Sequence, residues 1–230
     1  MKTFWFVCLI FVCLPAVFPT VARSQDVPSF DASAFSSTEK AGFAFNTLAR
    51  RQPDFVRWIK SRILWETLTP VDRIAYLQSE TKRLQNGFVL YDPRVDLIPV
   101  RTDVLFTISS PGTGGGSFLR IEPPDQEVLF FPFLTGDVWI FVLPVEPSFF
   151  TRIPLSQEAA ERLRTDGATL DTPQKGVLFL SLRPEAVDLS APFDREGGVT
   201  GWGMTAAIAA SRLESAPGAD ILWEYKAPDD

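Results

Sequence analysis

Histidine is absent from all 230 residues, and both cysteines, Cys8 and Cys13, lie inside one apolar N-terminal run. Without histidine, the Ser-His-Asp and Cys-His nucleophile–base pairs are excluded. So are zinc, copper and haem sites of ordinary composition. The chemistry left to the chain is that of carboxylates, lysine, hydroxyls and backbone amides. No catalytic residue, no cofactor-binding residue and no metal ligand is expected from it.

The run that holds the cysteines has the form of an export signal. Lys2 gives a short positive start, and residues 4–18 carry no charge, which is the length of a signal core. Pro15 and Pro19 then break the helix ahead of Thr20, Val21, Ala22, Arg23 and Ser24. Cleavage after Ala22 or Ser24 leaves small or uncharged residues at the recognised positions, and Ser24 is favoured, with Gln25 as the new terminus. The alternative is an uncleaved anchor, because residues 4–22 fall only slightly short of a bilayer span. Val7 and Val12 precede the cysteines, and neither is the small residue that lipoprotein processing needs. The expected location is periplasmic or secreted, with membrane attachment only through this segment if it is retained.

Loss of residues 1–24 removes two basic residues and no acid, leaving 20 basic against 28 acidic residues, a net charge of −8 over 206 residues. Such a balance repels phosphate backbones, so nucleic acid is not an expected partner. It also disfavours a polybasic membrane-surface role. An exported eukaryotic domain commonly uses disulfides, and a cysteine-free product of this size fits a bacterial envelope protein better.

Residues 25–35 read as a flexible lead-in and 36–230 as one α+β domain, helical over 36–87 and β-rich over 88–230. Ser36 with Glu39 forms a capping box for a first helix ending near Arg51. Pro53 sits at the first turn of a second helix, whose stripe of Phe55, Ile59 and Ile63, with Val56 and Leu64 beside it, faces a core. Thr69 caps a third helix with Pro70 at its first position; Ile74, Leu77 and Leu84 form its buried face, and Gly87 its left-handed stop. Strands are expected over 88–91, 104–108, 117–121, 128–131, 138–143 and 177–182, with a tight turn at Thr135, Gly136 and Asp137 and a loop at 111–116. The strands at 128 and 138 are apolar on both faces and must be covered twice. A helix is read over 156–164, stopped by Gly167. Residues 204–213 alternate at period two and read as a strand, with a helix as the alternative because of their four alanines; the turn at 216–219 and a strand over 221–225 close a hairpin. The whole predicts an N-terminal helical layer of about three helices packed on an antiparallel, sandwich-like β-region with one inserted helix.

Several constellations suggest chemistry and each has a plainer reading. Ser37 and Lys40 have Ser-x-x-Lys spacing but lack the partner motifs of that chemistry, and the same stretch starts a helix. The glycines at 112–116 and at 197, 198, 201 and 203 lack the Gly-Lys-Ser/Thr ending of a phosphate loop. Three acid groups lie near loops: Asp92, Asp96 and Asp103; Glu122, Asp125 and Glu127; Asp188, Asp194 and Glu196. Two converging acids would support glycoside hydrolysis, whereas solvated turn acids need no ligand. Trp58, Trp65, Trp139, Trp202 and Trp223 read mainly as core. Trp202, between Gly201 and Gly203, is the one candidate ligand platform.

These observations lead to a non-catalytic binding or scaffolding protein of the bacterial cell envelope, with a protein or glycan partner. Two alternatives stand beside it: a carboxylate-dependent hydrolase of extracellular or cell-wall glycans, and a carrier of a small apolar ligand.

Overall fold

A computed structural model describes residues 31–109, 116–123, 129–165, 171–195, 199–215 and 221–228. The leader, residues 111–115, Val128, Gly167, Gly197, Gly198 and the turn at 216–219 lie outside the described residues, so the expectations on them are not addressed by it.

Helix α1 (Ser37–Leu48) opens with the capping box: Ser36 Oγ accepts the Glu39 amide at 3.2 Å, and Glu39 Oε2 accepts the Ser36 amide at 2.8 Å. Every residue from 39 to 45 is buried. A helix covered all round must lie between two layers, and α1 does. One side meets the sheet, and on the other Phe43 meets the rings of Trp58, Phe88 and Tyr91 at 5.7, 6.1 and 5.9 Å.

The second helix is interrupted. α2 (Phe55–Lys60) is capped by Asp54, not begun by Pro53, and α3 (Ile63–Thr67) follows after a break at Ser61 and Arg62. Ser61 Oγ donates to the Trp58 carbonyl at 2.9 Å, a local bond that competes with helix continuation. Arg62 then turns inward to two carboxylates. The expected stripe is cut at this point. Phe55 and Ile59 are buried, whereas Ile63 is 88% exposed and Leu64 and Val56 also stand in solvent.

Helix α4 (Pro70–Leu90) starts as expected, with Thr69 Oγ1 accepting the Asp72 amide, but it runs through Gly87. A Cβ at Gly87 would lie 2.3 Å from the Phe35 ring. The glycine makes room for an aromatic ring and does not stop the helix. Residues 88–91 therefore end a helix and form no strand: Phe88 and Tyr91, three apart, both reach Phe43. Pro93 follows, and the chain turns. Leu84 is buried, but Ile74 is exposed, because Tyr76, Glu80 and Arg83 take the inward face.

The strands are β1 (Ile98–Ser109), β2 (Phe118–Glu122), β3 (Phe131–Thr135), β4 (Val138–Pro144), β5 (Ile153–Pro154), β6 (Gln174–Arg195), β7 (Val199–Ser215) and β8 (Ile221–Lys226), with helix α5 (Gln157–Thr165) between β5 and β6. They form one hydrogen-bonded sheet in the order β3-β4-β7-β6-β1-β2-β5, with β8 also on β7. The fold is α+β. The sheet is mixed, because β4 and β7 run parallel while the other pairs are antiparallel. β3 lies a few residues later than the expected strand at 128–131. Its turn to β4 is a two-residue loop with Gly136 at φ 68°, as hairpin twist requires.

β6 and β7 make a long hairpin bent by register shifts near Ser181, Pro184 and Asp188; bulges and a proline bend strands in this way. The far edge of β7 is shared in tandem, by β4 at residues 201–206 and by β8 at 210–214. Residues 204–213 are thus strand, despite the helix propensity of alanine, because Ala206 packs buried between Pro144 and Pro184 of the neighbouring strands. β4 is covered twice, as its composition requires. α1 contacts it, and Phe141 is packed by Phe130, Trp139 and Phe193 at 5.7, 6.3 and 4.9 Å.

Candidate binding groove on the sheet

Cross-strand register assigns each residue of β1, β6, β7 and β8 to a face. Val104, Phe106, Ile108, Leu178, Leu180, Leu182 and Leu213 are buried on the inner one. On the outer face one row reads Pro99, Ser181, Ala210 and Lys226, and the next reads Arg101, Phe179, Arg212 and Glu224. The first row is small except at its Lys226 end, and the second is bulky. A groove of about 660 Å³ results, crossing four strands.

Phe179 is the centre of the bulky row. The Arg212 guanidinium lies 4.7 Å from its ring centroid and that of Arg101 5.8 Å. Arg212 also pairs with Glu214 at 2.8 Å. Two cations thus lie against one aromatic ring from neighbouring strands. The groove therefore offers the Arg212 guanidinium, a ring and a serine hydroxyl on the sheet, with Arg101 beside Phe179 at its margin. It offers no nucleophile–base pair.

The sequence-derived candidates fall elsewhere. Trp202 lies on β7 in register with Ile140 of β4, half-buried against the core, and is not among the groove residues. Its neighbour Gly201 is set by close approach, since a Cβ there would lie 2.5 Å from the Trp139 carbonyl oxygen. Asp92 accepts from Arg94 Nε and Nη2 at 3.0 and 2.8 Å, and these bonds hold its carboxyl below the ordinary range. Asp96 accepts the Asp92 amide at 2.7 Å. Asp188 accepts from the Ser190 hydroxyl and amide and is likewise lowered. Glu122 pairs with Arg120, and Asp103 is exposed on β1. Asp125, Glu127 and Glu196 are outside the described residues. Hydrogen bonding holds the carboxyls of Asp31, Glu80, Asp92 and Asp188 below their ordinary range, the opposite of what a general acid needs. Among the described residues no group of three or more acids is placed to hold a metal ion.

Lys40 of the Ser-x-x-Lys match is buried in α1, and burial lowers its pKa against the attraction of Asp96 and Asp31. The groove itself was hidden because its residues come from strands about 80 and 30 positions apart. The alternation of Lys175, Val177, Phe179, Ser181 and Arg183 was the available signal, and it marks one face of β6. No protein family, no curated protein and no solved structure matches this chain.

Proposed function

We propose that this chain is an exported, non-catalytic binding protein of the bacterial cell envelope, and that its ligand lies across the outer face of β1, β6, β7 and β8. The carrying observation is the groove with Phe179 clasped by Arg101 and Arg212. Four strands span about 15 Å, which suits a segment of an extended chain, and guanidinium donors suit a partner rich in hydroxyl, carbonyl or carboxylate oxygen. An envelope glycan or an extended stretch of an envelope protein meets that description. The engagement of Asp92 by Arg94 and of Asp188 by Ser190 supports turn roles for these acids over the hydrolase alternative. The openness of the groove to solvent favours a polymer over a small apolar ligand. Export is supported by the uncharged run at residues 4–18 and the absence of cysteine after residue 13.

The test is pull-down and calorimetric titration with purified peptidoglycan and with soluble envelope proteins, comparing the wild type with Phe179→Ala and Arg212→Ala. Loss of binding of about tenfold or more in both variants is expected for a ring and a buried-side guanidinium at the centre of a site. Unchanged binding by both variants, or turnover of the glycan, rejects the reading. Mass spectrometry of the exported product is expected to find Gln25 at its N-terminus and no thiol.

A further inference from the structure

The edge of β7 that β4 and β8 share has a gap in it. β4 leaves that edge where the Val145 amide donates to the Ala206 carbonyl at 3.0 Å, and β8 ends on it where the Ala227 amide donates to the Ala209 carbonyl at 2.9 Å. Ala207 and Ile208 lie between. On the other side of β7, β6 pairs Pro184 with Ala206 and Ala186 with Thr205, so Glu185 is the extra residue of a bulge, and a bulge re-aims the side chain it carries. Beyond Val145 the chain turns, with the Phe149 amide donating to the Glu146 carbonyl at 3.0 Å. The gap holds a cavity of about 230 Å³, in which Val145, Ala207 and Ile208 supply aliphatic wall. The rings of Phe149 and Tyr225, 4.8 Å apart, line it too, and Glu146 and Glu185 are the charged side chains among its described lining residues.

Neither carboxylate has a hydrogen bond or an ion pair to any described residue. The basic residues nearest in register, Arg183 opposite Ala207 and Lys226 opposite Ala210, are outside the lining and are engaged by other groups. Two uncompensated negative charges beside two rings select a cation, because an aromatic face attracts one as well. A metal ion is a poor occupant: hard cations need about six or more oxygen ligands, and the rest of this wall is largely carbon. Size narrows the choice further, since sites for drug-sized molecules run from about 300 to 1,000 Å³, and a cavity below that range takes one side chain or one small amine. We propose that the cavity is a second ligand site, separate from the groove, for a primary ammonium group on a short alkyl stem. The ammonium pairs with Glu146 and Glu185, and the stem lies along Ile208, Phe149 and Tyr225. A lysine side chain of a protein partner and a free alkylamine both carry this group, with an apolar stem and a charged head.

NMR titration of the full chain, labelled at its methyl groups, reads the site through Val145 and Ile208. The probes are butylammonium and the methylamide of Nα-acetyl-lysine, and n-butanol, of the same size without the charge, is the control. Butylammonium is expected to shift both signals with a Kd of about 1–10 mM, as suits so small a ligand, and n-butanol to bind about fivefold more weakly or not at all. Glu146→Gln and Glu185→Gln are each expected to weaken the amine about fivefold. Both positions are exposed, and circular dichroism will show that the variants fold; the comparison of amine with alcohol needs no variant. Tyr225 also lines the groove and is left intact. Phe179→Ala is expected to bind the amine as the wild type does, so that failure of the groove and failure of this site are read apart. Tighter binding of the lysine amide than of butylammonium assigns the site to a protein side chain, and tighter binding of butylammonium to a free amine. Absence of shifts with both amines, equal binding of n-butanol, or unchanged amine affinity when both glutamates are replaced overturns the proposal.

Discussion

Arg62 Nη2 donates to Glu39 Oε1 at 2.8 Å, joining the break between α2 and α3 to the first turn of the buried helix α1. The bond is one part of a four-charge cluster. Arg62 Nη1 reaches Glu80 Oε2 at 2.6 Å, and Arg83 of α4 pairs with both Glu39 and Glu80. Arg83 also donates to the Ala34 carbonyl at 2.9 Å and lies over the Phe35 ring. The cluster thus fastens three helices and the chain leading into them.

Removal of the Glu39 carboxylate leaves two partly desolvated guanidinium groups sharing Glu80 alone. Glu39→Ala is expected to destabilise by about 3 kcal/mol, since breaking a buried pair from one side costs more than the pair is worth; Glu39→Gln, which keeps an acceptor for the Ser36 amide, is expected to cost about half as much. Urea unfolding of the two variants measures both. A smaller loss for Glu39→Ala than for Glu39→Gln contradicts the charge-centred account.

The same cluster sets an acid limit. Hydrogen bonding to Arg83, and then to Arg62, holds the Glu80 carboxyl below its ordinary 4.5 against the opposing effect of burial. A depressed native pKa contributes stability that is complete above 4.5 and is lost as pH falls through the native value. Melting temperature followed from pH 6 downward is expected to fall below pH 4.5 in the wild type and less steeply in Glu80→Gln.

Gly42 lies in the middle of α1, where alanine is the better helix former by about 1 kcal/mol. A Cβ there would lie 2.4 Å from the Trp58 ring and 2.9 Å from the Thr135 methyl. Helix and hairpin are pressed together at this point, and overpacking outweighs propensity. Gly42→Ala is expected to destabilise by about 2 kcal/mol, and thermal or denaturant unfolding will show the sign.

Lys40 is 6% exposed. Burial lowers its pKa from 10.5, offset in part by Asp96 and Asp31, so the native state holds its proton less tightly than the unfolded chain. The penalty is full at neutral pH and shrinks as pH rises from the native value toward 10.5. Lys40→Met is expected to stabilise by roughly 1 kcal/mol at pH 7, with the gap to wild type narrowing as pH rises toward 10.5. A gap that widens with pH would contradict this.

Ser211 is 3% exposed on β7, and its Oγ has no hydrogen-bond partner in the described structure. It stands on the inner face opposite Leu180 and Tyr225. Ser211→Ala, which removes an unsatisfied hydroxyl, is expected to be neutral or to stabilise by up to about 1 kcal/mol, as chemical denaturation will read.

Local signals were legible wherever a few neighbouring residues settle the outcome. The capping box of Ser36 and Glu39, the Thr69-Pro70 start, the Ser156 cap, whose Oγ accepts the Ala159 amide at 3.1 Å, and the two-residue turn at Gly136 all formed where the sequence places them. The period-two pattern at 204–213 outweighed its alanines. Helix ends and faces were less legible. Gly87 reads as a stop until Phe35, fifty-two residues earlier, fills its groove, and Ile63 reads as core until Arg62 turns inward to two distant carboxylates.

By itself the sequence determined the α+β class, the starts of α1, α4 and α5, the need to cover β4 on both faces and the exclusion of histidine and thiol chemistry from the region after residue 13. These depend on composition, period and contacts within one turn. The tertiary structure alone decided that β4 and β8 share one edge of β7, that four charges meet beneath α4, that Phe179 lies between Arg101 and Arg212, and that Ile63 and Val71 face outward. Each of these joins residues from different elements. Register and packing geometry fix such pairs, and neither is written in the spacing of any one segment.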